Sequence, residues 1–173
     1  MADWESLPLI DEHGRRINAD RKQVWAALGR MLSRPDRLVT TIVLRLAGAL
    51  PQRAAGDPLR EGSAIAGFAV VRAVRPEILV LAGRHRFSRY ALTFRLRAAE
   101  AASVVTAESR AEFPGVTGTA YRALVVGSGG HVVAVRRMLA RVASEAVAAR
   151  GISGTDGQEG IARRDVGGSP SSR

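Results

Sequence analysis

The sequence predicts an α+β fold in which an antiparallel sheet is covered on one face by a long C-terminal helix. Apolar residues follow a helical period between residues 21 and 50. From Ser63 the pattern changes to the alternation of strands, and after Gly118 it returns to helical. The connections between the strand-like runs are short, which favours antiparallel neighbours.

The N-terminal part is predicted to form a strand and two helices. The strand lies around residues 13–17. Asp20 then occupies the N-cap position before RKQVWAALGRML, whose apolar residues are spaced for one buried stripe. A second helix begins near Asp36 and has an apolar face that ends at Leu50.

Four further strands are predicted within residues 64–113, in the runs AIAGFAVVRAV, EILVLAG, RYALTFRLRA and SVVTAESRAEF. The connections are residues 75–76, GRHRFS at 83–88, and residues 99–101. With the N-terminal strand this makes five, and a sixth within residues 47–63 is left open.

The last two of these strands each have one apolar and one charged face. Pairing them across residues 99–101 brings the apolar sets together and places Arg89 beside Glu112 and Arg95 beside Thr106 and Glu108. A register slip by one residue would instead turn Glu108 inward, as a buried acid. The apolar face requires a cover.

The cover is one long helical element that runs from after Gly118 to a basic last turn and a C-cap glycine at Arg150–Gly151. Because several glycines weaken a helix, GSGG at 127–130 predicts a kink or a break. Residues 152–173 are poor in apolar side chains and are predicted to be a disordered tail, so the single domain spans residues 1–151.

Composition restricts the classes of function. The chain has 173 residues, a formal net charge of +10 and no cysteine, which excludes disulfides and thiolate metal sites. All the basic residues except Lys22 are arginines, and they are scattered, so a nucleic-acid partner is not predicted. The three histidines lie far apart in the sequence and predict no metal site, and no cofactor is expected. Neither a signal peptide nor a membrane-spanning run is present, which predicts a cytoplasmic protein that does not insert into membranes.

The order of strand, two helices, antiparallel meander and long C-terminal helix resembles the SRPBCC superfamily, which includes START, Bet v 1-like and polyketide cyclase/dehydrase-type proteins. The resemblance covers about residues 9–150 and is carried by HGRRINADRKQVWAAL, EGSAIAGFAV, LVLAGRHRFSRYALTF, TAESRAEFPGVTGTAYR and HVVAVRRMLARVASEA. It looks closest to uncharacterised bacterial single-domain members. It implies the helix-grip fold, in which a curved antiparallel sheet wraps around the last helix and encloses an apolar cavity.

The function that the resemblance implies is binding of a hydrophobic or amphipathic small molecule, lipid-like or polyketide-like, in that cavity. The alternative is a polyketide cyclase/dehydratase-type enzyme that uses the same cavity. No catalytic residue is assigned, and the oligomeric state, including a homodimer, is left open.

The candidate ligand-binding residues combine the aromatic side chains with the polar cluster of GRHRFSRY. Tyr90 and Tyr121 are expected to offer hydroxyl groups, and His85 and Arg86 to orient the ligand or bind an anionic end of it. The alternative for this cluster is a solvated hairpin turn whose arginines pair with glutamates. Whether His85 faces the cavity or the solvent is left open. The full set is Trp25, Phe68, His85, Arg86, Tyr90, Phe94, Phe113 and Tyr121.

Overall fold

The computed structural model describes residues 4–34, 54–65 and 67–159, without the side chains of Val125 and of residues 150–159. No helix in these ranges is long and apolar enough to cross a membrane. The elements are β1 (Leu9–Ile17), α1 (Arg21–Ser33), β2 (Ala64–Ile65), β3 (Phe68–Val74), β4 (Ile78–His85), β5 (Ser88–Ala99), β6 (Ala102–Glu112), α2 (Gly115–Val125) and α3 (Gly130–Glu159).

Helix α1 begins at the predicted N-cap. The Asp20 side chain accepts a hydrogen bond from the Gln23 backbone N–H at 2.8 Å, and Gln23 Oε1 accepts one from the Asp20 N–H at 3.1 Å. This capping box satisfies two N–H groups that the first turn leaves without helical partners. The second predicted helix, residues 36–50, lies outside the described residues.

The strands form one six-stranded antiparallel sheet in the order β1-β6-β5-β4-β3-β2. Arg89 lies opposite Glu112 and Arg95 opposite Thr106, so the predicted register of the last two strands is confirmed and the slipped alternative is wrong. The sixth strand is β2. Its two residues, 64–65, were predicted as the start of the run AIAGFAVVRAV, but in the structure they form a strand of their own before β3. Of the stretch 47–63, the described part contributes one bridge, between Ala55 and Ala64.

The hairpin between β4 and β5 is tighter than predicted. Ladder pairing continues as far as His85 opposite Ser88, so the turn consists of Arg86 and Phe87 alone. The predicted connection GRHRFS is therefore wrong in length, because Gly83 and His85 belong to β4 and Ser88 to β5.

The C-terminal cover is split into two helices, as the glycines at 127–130 predict. Helix α3 extends to Glu159, so the predicted helix end at Arg150–Gly151 is wrong. The domain boundary at residue 151 stays a prediction, and residues 160–173 lie outside the described part of the chain.

The core occupies only part of the concave face of the sheet. Around its centre, Leu79, Phe94 and Val105 pack against α1 and the middle of α3 and are fully buried. Between this core and the β4–β5 hairpin, a cavity separates the sheet from the helices. This curved, unclosed sheet gripped by C-terminal helices is the helix-grip fold that the sequence predicts.

Candidate functional site

A cavity of about 660 Å³ lies between the hairpin half of the sheet, α2 and the first turns of α3. Most of its wall is apolar. The apolar residues that line it are Ile10, Phe68, Ala91, Leu92, Ala111, Phe113, Leu124, Val126, Ala134, Val135 and Met138. Polar residues also contribute, and these are His85, Ser88, Tyr90, Ser109, Arg110, Tyr121, Ser128 and His131.

The ladder pairing of β4 and β5 explains why the polar residues of GRHRFSRY face the cavity. Residues that lie directly opposite each other share one face of a sheet, and side chains alternate along each strand. His85 lies opposite Ser88 and Gly83 opposite Tyr90, so all four share the concave face. His85 therefore faces the cavity, which answers the question that the sequence leaves open.

Aromatic rings connect the hairpin to α2. The ring of Tyr121 meets that of His85 edge to face at a centroid distance of 4.8 Å and stacks on that of Phe87 at 5.5 Å. On the opposite side, Tyr90 meets Phe68 at 5.1 Å. Gly118 permits the close packing of α2 here, because a Cβ there would lie 2.8 Å from the carbonyl oxygen of Phe113 and 3.1 Å from that of Phe87. An aromatic cluster thus joins the hairpin to α2 at this end of the cavity.

The titratable groups of the cluster are held in their uncharged forms. Burial lowers the pKa of His85. Burial raises the pKa of Tyr90, with a smaller contribution from Tyr121, and burial also raises the pKa of Tyr121. The Tyr90 hydroxyl donates a hydrogen bond to the Gly67 carbonyl at 2.7 Å.

The structure brings five of the predicted ligand-binding residues to the cavity and places three elsewhere. Phe68, His85, Tyr90, Phe113 and Tyr121 line it. Trp25 and Phe94 are buried in the core next to it. Arg86 is exposed at the tip of the hairpin, where its guanidinium carbon lies 5.2 Å from the centroid of the Phe87 ring.

The acidic residues of β6 pair with arginines. Glu112 binds Arg89, as predicted, and Glu108 binds Arg110. The guanidinium of Arg110 also donates to the carbonyl of Leu7 at 2.9 Å.

A second polar cluster, of which only His131 lines the cavity, was not predicted. His13 Nε2 lies 3.4 Å from Asp11 Oδ2, and His131 Nε2 lies 3.4 Å from Asp11 Oδ1. These residues meet because β1 is the edge strand beside which α3 begins, a long-range placement that the spacing of the histidines does not encode. Among the described residues, no group of three His, Cys, Asp or Glu side chains has the geometry to hold a metal ion.

Ser109 is the other residue that sequence reasoning passed over. It is 4% exposed, lies in the cavity wall, and its hydroxyl makes no hydrogen bond with any described group. The signal was present, because Ser109 is the one polar member of the alternating set from Val105 to Ala111 on the apolar face.

Solved structures share this architecture. A protein from Nitrosospira multiformis is 12% identical, with a TM-score of 0.51 over 78% of this chain and 94% of that one. A protein from Chromobacterium violaceum is 13% identical, with a TM-score of 0.50 over 79% and 96%. CalU16 from Micromonospora echinospora is 18% identical, with a TM-score of 0.46 over 79% and 83%. No protein-family model and no curated protein matches the chain.

The fold and the cavity together define a helix-grip protein with an apolar cavity. The likenesses from Nitrosospira multiformis and Chromobacterium violaceum support that fold and, at such low identity, nothing more specific.

Proposed function

We propose that this protein binds a hydrophobic or amphipathic small molecule, lipid-like or polyketide-like, in the cavity between the sheet and the C-terminal helices. The proposal includes membership of the SRPBCC superfamily, to which the sequence order points, and the cytoplasmic location predicted from the sequence. The observation that carries it is the cavity itself, about 660 Å³ in volume and lined mainly by apolar side chains. Ligand pockets of soluble proteins are of this size and combine apolar walls with a few oriented polar groups.

Affinity would come from burial of apolar ligand surface against residues such as Leu92, Phe113 and Met138. Orientation would come from polar groups of the cavity wall, with His85 and His131 among them. The arginines of the hairpin would contribute at most to the rim, because Arg86 lies outside the wall and Arg89 is paired with Glu112.

The first experiment is native mass spectrometry of freshly purified protein, followed by identification of any small molecule released from it. The second is a titration with the neutral fluorescent probe N-phenyl-1-naphthylamine. We expect a saturable rise in fluorescence with one probe per chain. Absence of both a co-purified compound and saturable probe binding would contradict the proposal.

Two matched variants locate the binding site. Ala111 lies in the cavity wall, so Ala111→Leu should weaken probe binding by filling part of the cavity. Ala148 is exposed on α3 away from the cavity, so Ala148→Leu should leave probe binding unchanged. Thermal unfolding of both variants is the control, because an unchanged melting temperature separates an effect on the cavity from loss of the fold.

The alternative is a polyketide cyclase/dehydratase-type enzyme, and one observation favours it. His131 lies in the cavity wall with its Nε2 beside the Asp11 carboxylate, an arrangement that can orient an imidazole for proton transfer. The co-purified compound is incubated with the protein and with His131→Gln. Conversion that stops in the variant supports the enzyme, and recovery of the unchanged compound from both supports the carrier.

A further inference from the structure

Two hydrogen bonds determine which nitrogen of His85 carries the proton. The backbone N–H of Phe87 donates to His85 Nδ1 at 3.1 Å, so Nδ1 has a lone pair and no hydrogen. His85 Nε2 lies 3.0 Å from the hydroxyl oxygen of Ser88. A neutral imidazole carries one N–H, which must therefore be on Nε2 and must donate to Ser88 Oγ.

The protonated ring does not fit this arrangement. It would carry a second N–H on Nδ1, directed at the N–H of Phe87, and two donors would face each other. Burial also disfavours the protonated ring, since it lowers the pKa of His85. In this tautomer His85 is not a base for Ser88, which excludes a serine nucleophile activated by His85.

Ser88 is consequently left with a proton to donate. Its oxygen is occupied by the N–H of His85, and no described protein group accepts its hydrogen. Ser88 is 3% exposed and lines the cavity. Since a buried donor without an acceptor is unfavourable, the hydroxyl is poised to bind an acceptor atom of a molecule in the cavity.

The same end of the cavity offers no charge to an anion. Arg84 is exposed, and Arg86 lies over the outer Phe87 ring. Arg89 is paired with Glu112, and Arg110, which contributes to the wall, is paired with Glu108. Tyr121 and Tyr90 remain protonated because burial raises the pKa of both. Burial of a carboxylate or phosphate here would leave it without a counter-charge among the described residues, which is strongly unfavourable.

We infer that the hairpin end of the cavity recognises the acceptor oxygen of an uncharged carbonyl compound, with Ser88 as the hydrogen-bond donor and His85 as the residue that orients it. The inference rests on the proposed binding function and specifies its ligand class. It replaces the expectation from sequence that an arginine of GRHRFSRY binds an anionic end of the ligand.

The test compares three ligands with the same ring system by isothermal titration calorimetry: 9-fluorenone, fluorene and fluorene-9-carboxylate. They differ in bearing a carbonyl, no polar group, or an anion. For the wild-type protein we expect 9-fluorenone to bind about threefold to tenfold more tightly than fluorene, as one net hydrogen bond gives, and the carboxylate to bind most weakly.

Ser88→Ala should abolish the preference for 9-fluorenone and leave the affinity for fluorene unchanged. The matched control is Ser144→Ala, because Ser144 is exposed on α3 and its hydroxyl bonds the Ala140 carbonyl. The control should keep the preference. At neutral pH, imidazole ¹⁵N NMR of the wild-type protein should show the His85 proton on Nε2 alone. A merely structural role of Ser88 does not require this tautomer.

The outcomes separate the two claims. Equal affinity for 9-fluorenone and fluorene, tighter binding of the carboxylate, or a His85 proton on Nδ1 would overturn the donor site while the binding function stands. If none of the three ligands binds and N-phenyl-1-naphthylamine does not bind either, the binding function itself fails, and this inference fails with it.

Discussion

The ring of Tyr90 occupies the space that a side chain at Gly83 would need. The two residues lie opposite each other in the β4–β5 ladder, and a Cβ on Gly83 would lie 2.6 Å from Tyr90 Cε2. It would also collide with the carbonyl oxygen of Gly67, the group that the Tyr90 hydroxyl bonds. Gly83 thus allows Tyr90 to lie flat against β4 and to tie β5 to the start of β3.

Gly83→Ala is expected to destabilise the protein by about 2 kcal/mol, because either the Tyr90 ring or the Gly67 backbone has to move. Urea unfolding measures the change in the free energy of unfolding. Gly14→Ala is the matched control in β1, where the nearest atom to the new Cβ, Thr106 Cγ2, would lie at an ordinary 3.6 Å. The control should be neutral or slightly stabilising. Equal losses in both variants would show that glycine is needed in these strands for another reason.

Two buried serines of β6 should respond to alanine with opposite signs. The Ser109 hydroxyl has no hydrogen-bond partner among the described residues, so Ser109→Ala should stabilise the protein by about 1 kcal/mol. Ser103 donates to the Ala19 carbonyl at 2.8 Å, so Ser103→Ala should destabilise it by about 1 kcal/mol or more. The two midpoints of urea unfolding give the result directly. A loss of stability on Ser109→Ala would mean that its hydroxyl is satisfied in solution.

The fold was predictable because it follows from local patterns. The Asp20 cap, the alternation along β5 and β6 and the glycines at 127–130 each depend on neighbouring residues, and the structure contains all three features. The cross-strand pair of Arg89 and Glu112 was also predictable, since alternation fixes the register once one face is buried. The end of α3 was not, because the Arg150–Gly151 pair resembles a C-cap but the helix continues through it.

The site was predictable only in part. The aromatic members follow from their place on the apolar faces, but the role of Ser88 depends on a turn of two residues, and the sequence suggested a longer one. A change of one residue in that turn would reverse which of His85 and Arg86 faces inward. The meeting of Asp11, His13 and His131 depends on where α3 begins relative to β1, and no local pattern specifies that.

Acidification should destabilise the protein through His85. Burial lowers the pKa of His85 in the folded state, so between that lowered pKa and the ordinary value of about 6.5 the unfolded chain binds more protons than the folded one. The free energy of unfolding therefore falls as the pH drops below about 6.5, and this contribution is fully present above that pH.

The measurement is the pH dependence of urea unfolding for the wild-type protein and for His85→Gln, in which this contribution should be absent. Subtracting the pH profile of His85→Gln from that of the wild-type protein removes the contribution of the carboxylates, which titrate in both proteins. An NMR titration of the His85 ring gives its midpoint independently, and a midpoint at or above that of a free histidine side chain would contradict the prediction.

The pairing of Asp11 with His131 should couple β1 to the first turn of α3. The Asp11 side chain is 16% exposed and that of His131 28%, so their interaction is screened less than one at the surface. Asp11 Oδ1 and His131 Nε2 are in contact at 3.4 Å without forming a hydrogen bond. In a double-mutant cycle with Asp11→Asn and His131→Gln, we expect a coupling of about 1 kcal/mol in the free energy of unfolding, as for residues in direct contact. The matched cycle uses Arg21 and Glu77, an exposed pair at 3.1 Å, with Arg21→Gln and Glu77→Gln. Its coupling should be near zero, because exposed ion pairs contribute little.

A coupling at Asp11 and His131 no larger than that of the exposed pair would leave Asp11 without a part in holding α3 against the sheet. The orientation of His131 at the cavity wall would then have to come from its packing alone.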